Sequence, residues 1–189
     1  MTGEQLLLGK NLEKELSDLP EGWIVLLETS AEKILEVSLA VIKILTDKNY
    51  TGLVISANRP CNNLLSLYEK NSINTKKVMI LCAICKSQGG DAKNAENIIH
   101  LERISALTDM SISLSEAIKK TKGNKFIFID SITTMLIHNQ PNVFAIFIHS
   151  ILTKMRMDMV SGLLISLENE TNREVRADIA QLCDRVIKV

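Results

Sequence analysis

Apolar residues follow two alternating rhythms along this chain. Runs at 23–27, 53–56, 78–82, 98–101, 126–130, 163–167 and 186–189 are apolar almost throughout. That is the pattern of strands covered on both faces, as in a parallel sheet. The run at 98–101 is the weakest and predicts a short edge strand. Between the runs the apolar spacing lengthens to about 3.6 residues, the helical period. Leu107, Met110, Leu114 and Ile118 share one helical face, with Gly123 beyond them as a stop. Phe144, Phe147, Ile148, Ile151, Leu152 and Met155 form a second stripe. Pro141 suits the first turn of that helix, where a missing N–H is no loss. A further helix is expected from about residue 31 to residue 47. Strands alternating with helices of this length require right-handed crossovers. The expected fold is therefore α/β, a doubly wound, mostly parallel sheet with helices on both faces.

The first 22 residues break this alternation. Leu6, Leu7, Leu8, Leu12, Leu16 and Leu19 predict an amphipathic helix ending at Pro20-Glu21-Gly22, which either caps the domain or packs on a partner chain. Two segments result, an N-terminal helix at 1–22 and one α/β domain at 23–189. No linker, repeat or low-complexity tract separates them. A chain of 189 residues with 46% hydrophobic and 23% charged residues suits a single domain with a sizeable core.

Charge removes some functions from consideration. Lys and Arg total 22, as do Asp and Glu, so nothing argues for binding nucleic acid or an anionic membrane. No stretch approaches the roughly 20 apolar residues of a membrane span, and no signal-peptide pattern opens the chain. A cytoplasmic protein is expected, with Cys61, Cys82, Cys85 and Cys183 as reduced thiols packing like small apolar groups.

Parallel sheets bind ligands beyond the carboxyl ends of their strands, and the first such end reads Glu28-Thr29-Ser30-Ala31-Glu32-Lys33-Ile34. A phosphate-binding loop needs glycines so that backbone N–H groups wrap the phosphates, a lysine for charge and a hydroxyl for magnesium. Only the lysine is present. Thr29 and Glu32 have capping-box spacing instead, which would place a carboxylate where a phosphate sits. The two readings are a self-capped, closed helix end and a retained phosphate site.

Further along, Phe126-Ile-Phe-Ile-Asp130-Ser131 followed by Ile132-Thr133-Thr134-Met135-Leu136 resembles the Walker B strand and sequel of RecA/KaiC-like ATPases. The resemblance extends over about residues 22 to 189. Leu107-Thr108-Asp109 upstream and Cys183-Asp184-Arg185-Val186-Ile187 downstream support it. It implies a P-loop NTPase fold of archaeal KaiC-like type with a degenerate Walker A. In it Lys33 matches the phosphate-loop lysine and Asp130 the aspartate that holds magnesium through water. Ile34 stands where the magnesium-binding hydroxyl belongs. Asn58-Arg59-Pro60 replaces the paired acidic residues that follow the second strand in active relatives. Any retained nucleotide site, for ATP and magnesium, would use Lys33, Asp130 and Arg59. With loop glycines, metal-ligand hydroxyl and catalytic carboxylate all changed, hydrolysis is expected to be absent and no cofactor to be needed.

Each of these residues also has a plain structural use. Asp130 can cap the next turn or accept a hydrogen bond from Thr133 or Thr134. Asn58 can cap the following helix with Pro60 in its first turn. Arg59 can pair with Glu28 or Glu32, or bind an anion. Cys82-Ala-Ile-Cys85 has redox-motif spacing, yet neither a second cysteine pair nor a nearby histidine accompanies it in sequence, so thiol packing is the expected role. His100, His138 and His149 are scattered and read as ordinary surface or core residues. The segment 168–173 reads as a solvated loop capped by Thr171 or Asn172, with Arg173 and Arg176 alternatively reaching a neighbouring subunit. The polar, glycine-rich stretch 87–94 reads as a mobile connection.

The function expected from all this is a non-catalytic KaiC-like domain acting through protein–protein contacts in regulation or signalling, with a protein partner or by self-association through the N-terminal helix. The alternative is a nucleotide-binding sensor that does not hydrolyse. Weaker still is a divergent ATPase in which Glu28 or Glu168 substitutes for the lost carboxylate. DNA recombination gains nothing from a neutral composition.

Overall fold

A computed structural model of the chain describes residues 3–86, 96–168 and 173–189, with side chains from Leu6 onward. The expected stretch at 87–94 and the capping residues Thr171 and Asn172 lie outside the described residues.

Among the described residues seven strands form one sheet in the order β4-β3-β2-β5-β6-β1-β7, parallel throughout. They are β1 (Ile24–Thr29), β2 (Thr51–Ser56), β3 (Val78–Cys82), β4 (Ile98–His100), β5 (Lys125–Asp130), β6 (Ser161–Leu167) and β7 (Arg185–Lys188). All seven expected strands are present, and the run at 98–101 is the short edge strand β4. Boundaries move by one or two residues where pairing rather than polarity decides them. Polar Thr29 belongs to β1 because it pairs with Leu167, and polar Thr51 to β2 because it pairs with Lys125.

Among the described residues α1 (Gly3–Ser17) precedes the sheet, and α2 (Ile34–Asp47), α3 (Cys61–Lys70), α4 (Leu107–Lys120), α5 (Ile132–Ile137), α6 (Pro141–Met157) and α7 (Arg173–Gln181) lie in the connections. Strand order decides which face each one covers. From β1 the path moves toward β2, β3 and β4, and with right-handed crossovers α2 and α3 lie on one face. Val37, Val41, Leu45, Cys61, Leu64 and Tyr68 pack there beneath Val25, Val54 and Phe128. From β4 the path returns through β5 and β6 to β7, so α4, α6 and α7 cover the opposite face. There Met110, Leu114, Phe144, Ile148 and Ile179 pack against Leu53, Ile127 and Leu164.

Helix α1 joins the first of these layers. Leu12 and Leu16 are buried beside Trp23 and Val41, and Arg185 of β7 donates to the Glu15 carbonyl (2.5 Å) and carboxylate (3.2 Å). Of the two roles open to the N-terminal helix, capping the domain is the one this packing fulfils. Pro141 occupies the first turn of α6, as its sequence position predicts. No helix among the described residues is long and apolar enough to cross a membrane.

Candidate functional site

In a parallel sheet, ligand crevices open where neighbouring strands send their chains to opposite faces. Among the described residues two such places are found. The connection from β2 crosses one face while that from its neighbour β5 crosses the other, and β1 and β6 diverge in the same way. Ser56 and Asp130 close the first pair in register, and Thr29 and Leu167 close the second. The sequence-selected residues Glu28, Lys33, Asn58, Arg59 and Asp130 therefore share one edge of the sheet.

The turn between β1 and α2 is not a capping box. Thr29 is the buried last residue of β1, and its hydroxyl donates to the Val189 carbonyl at 3.1 Å. Helix α2 starts at Ile34 with Lys33 at its N-cap and no side-chain cap. Thr29 fails as a cap because strand pairing extends it away from the helix end by four residues. The amides of Lys33 and Ile34 both donate to the Ser30 carbonyl (3.2 and 3.1 Å), closing a tight turn. Glu32 and Lys33 are exposed. Two N–H groups of the kind a phosphate would recruit are thus already hydrogen-bonded within the backbone.

Asp130 has a different partner from the expected ones. Its carboxylate accepts from the Asn58 amide at 2.8 Å, and Asn58 in turn accepts from the Thr134 hydroxyl. Ser131, not Asp130, caps α5, accepting from the Thr134 amide at 3.3 Å. Thr133 instead meets the Leu167 amide (3.0 Å) and Ser166 (3.3 Å), tying α5 to β6. Asn58 consequently does not cap α3, whose N-cap is Pro60. The peptide joining Asp130 to Ser131 is cis. Burial pushes the Asp130 carboxyl above its ordinary range, and the Asn58 hydrogen bond and the nearby Arg59 charge only partly offset this.

Glu28, one of the two carboxylates offered as a partner for Arg59, instead pairs with α7. Its buried carboxylate lies 2.9 Å from Arg176 and 3.8 Å from Lys188. Arg176 also donates to the Glu168 carbonyl at 3.3 Å. This arginine, for which a neighbouring subunit was one of the expected contacts, is held within its own chain, since β1, β6 and β7 are adjacent. Sequence spacing carries no signal for such a contact, because the partners lie 148 residues apart (176 − 28).

The sequence reading also missed a cluster. Cys61, Cys82, Cys85 and His100 place their donor atoms within 4.8 Å of one another. His100 is distant in sequence, but it ends β4 in register with Cys82 at the end of β3. His138 and His149 are exposed, as an ordinary surface role requires. Cys183 is free and half-buried, and donates to the Ile179 carbonyl at 3.2 Å. Burial raises the Cys61 thiol to about 12, assisted by its hydrogen bond with Cys85.

Comparison with known proteins fits this architecture. No family model matches the chain, and no curated protein sequence matches it. Solved structures do. An uncharacterised protein of Pyrococcus horikoshii, crystallised with an unknown peptide, has a TM-score of 0.66 at 10% identity over 95% of this chain and 82% of its own. A KaiC-like protein of the same organism has a TM-score of 0.61 at 14% identity, covering 90% and 72%. The flagellar accessory protein FlaH of Methanocaldococcus jannaschii has a TM-score of 0.66 at 12% identity, covering 94% and 76%. The chain has the RecA/KaiC-like α/β fold.

Proposed function

We propose that this chain is a non-catalytic KaiC-like domain that works through protein contacts. The observation that carries the reading is the β1–α2 turn. It has no glycine, its Lys33 and Ile34 amides are engaged by Ser30, and its lysine is exposed. Two further features support it. The carboxylate of Asp130, where a hydrated magnesium would have to approach, is taken up by Asn58. Glu28, the buried carboxylate at the end of β1, is neutralised by Arg176. Phosphoryl transfer depends on positioned charges and donors, and here those donors and charges are paired with one another. Exposed apolar side chains on α1 (Leu6, Leu7) and α6 (Val143, Ile146) offer the kind of surface that protein contacts use.

Calorimetric titration of ATP and ADP with magnesium tests the reading, alongside phosphate-release assays. The expected result is no saturable binding up to millimolar nucleotide and no turnover. Saturable binding that disappears in Lys33→Ala would replace this reading with a nucleotide sensor. Steady turnover lost in Asp130→Asn would replace it with a divergent ATPase.

A further inference from the structure

Three thiols and an imidazole that play no part in the proposed function meet at the carboxyl edge of β2, β3 and β4. Topology assembles them from four separate places. Cys61 opens α3, just after β2 leaves the sheet. Cys82 is the last residue of β3, Cys85 follows after two residues, and His100 is the last residue of β4 and the register partner of Cys82. The three cysteines are buried and His100 is half-buried. Sγ of Cys85 lies 2.7 Å from that of Cys82 and 3.2 Å from that of Cys61. All four donor atoms fall within 4.8 Å of one another.

Packing alone does not call for this arrangement. Neighbouring positions in the same core are filled by Ile80, Leu64 and Val54, side chains without donor atoms. Here four soft or borderline donors converge on one point. Four is the number that closes a tetrahedral shell, and two of the cysteines have the C-x2-C spacing of a metal knuckle. Thiolates with imidazole select zinc over magnesium or calcium, which take oxygen ligands. Ligands about 2.3 Å from a tetrahedral centre stand about 3.8 Å apart, so a bound ion would spread the Cys82 and Cys85 sulfurs by about 1 Å and those of Cys61 and Cys85 by about 0.6 Å.

We propose that Cys61, Cys82, Cys85 and His100 form a structural zinc site. Each Zn–S bond forms as a thiol proton leaves to solvent, the neutral imidazole binds through a ring lone pair, and no electrons are transferred. The ion pins the start of α3 to β3 and β4. It thereby fixes the loop that presents Asn58 to Asp130. The proposal stands independently of whether the chain binds nucleotide.

The test is metal analysis of untagged protein purified without chelator, followed by cobalt substitution. About one zinc per chain is expected, and the cobalt form should show a strong sulfur-to-metal charge-transfer band with tetrahedral d–d absorption. The Cys82→Ser/Cys85→Ser double variant should lose both signals. Cys183→Ser, altered outside the cluster, should keep them. If the double variant fails to fold, wild-type protein treated with a mercurial should release its zinc in step with the reaction of three buried thiols. Wild-type protein that carries no zinc and gives no cobalt–thiolate band overturns the proposal. So does a Cys82–Cys85 disulfide found in freshly isolated protein, which would make the pair a redox couple.

Discussion

Asp130 ends β5 with its carboxyl buried, which makes its charged form less favourable in the folded chain than in the unfolded one. The consequence for stability has a definite sign. Below the ordinary aspartate value of 3.8 the group is protonated in both folded and unfolded chains, and no penalty arises. As pH rises from there through the raised folded value, the unfolded chain gives up its proton first and stability falls. Above the folded value the full penalty persists. Asp130→Asn removes that penalty while its amide oxygen still accepts from Asn58. The variant should therefore be more stable than wild type by on the order of 1 kcal/mol at neutral pH. The advantage should shrink as the pH approaches 4. Urea denaturation of both proteins at several pH values checks this. The sequence placed Asp130 at a strand end correctly, because an apolar run stopping at Asp-Ser is a local signal. It did not reveal Asn58 as the partner. That pairing depends on β2 and β5 being neighbours, a fact of strand order invisible to spacing.

Between elements, the Glu28–Arg176 contact fastens α7 to β1 across the sheet edge, with the Glu28 side chain 4% exposed and Arg176 31%. Removing the cation leaves a buried carboxylate with only the mostly exposed Lys188, 3.8 Å away. Arg176→Met should thus cost about 3 kcal/mol of stability. Glu28→Gln combined with Arg176→Met should recover most of it, since no buried charge then remains uncompensated. A double-mutant cycle by chemical denaturation measures the coupling. Two equal, additive losses would mean the pair is held too loosely to matter. At this scale the hydrophobic rhythm of the sequence located every described strand and helices α4 and α6, and placed α2 within three residues of its start. The turn between β1 and α2 was misjudged. Thr29 and Glu32 have the spacing of a cap, yet pairing of Thr29 with Leu167 draws the threonine into the sheet and leaves Lys33 at the helix start. Local propensity was outweighed by strand pairing. The same limit hid the cysteine cluster, because Cys82 and His100 become neighbours only when β4 pairs with β3.

At the scale of the whole molecule, the apolar residues of α1 meet two different environments. The helix has two sets of leucines. Leu12 and Leu16 are 1% and 7% exposed and pack with Trp23 and Val41, whereas Leu6 and Leu7 are 48% and 62% exposed. The inner pair belongs to the core, so Leu12→Ala should destabilise the fold by about 2–5 kcal/mol through lost burial and the cavity left behind. The outer pair contributes little to folding, and Leu6→Ser/Leu7→Ser should leave stability within about 0.5 kcal/mol of wild type. Association should respond the other way. If the protein-contact function runs through this helix, sedimentation equilibrium will show wild-type chain self-associating with concentration and the outer double variant shifted toward monomer. Leu12→Ala would keep its association at temperatures where it remains folded. Should the outer variant associate as strongly as wild type, α1 serves only as a cap on the α2 layer. The contact surface would then lie elsewhere, with the exposed Val143 and Ile146 of α6 the next residues to change.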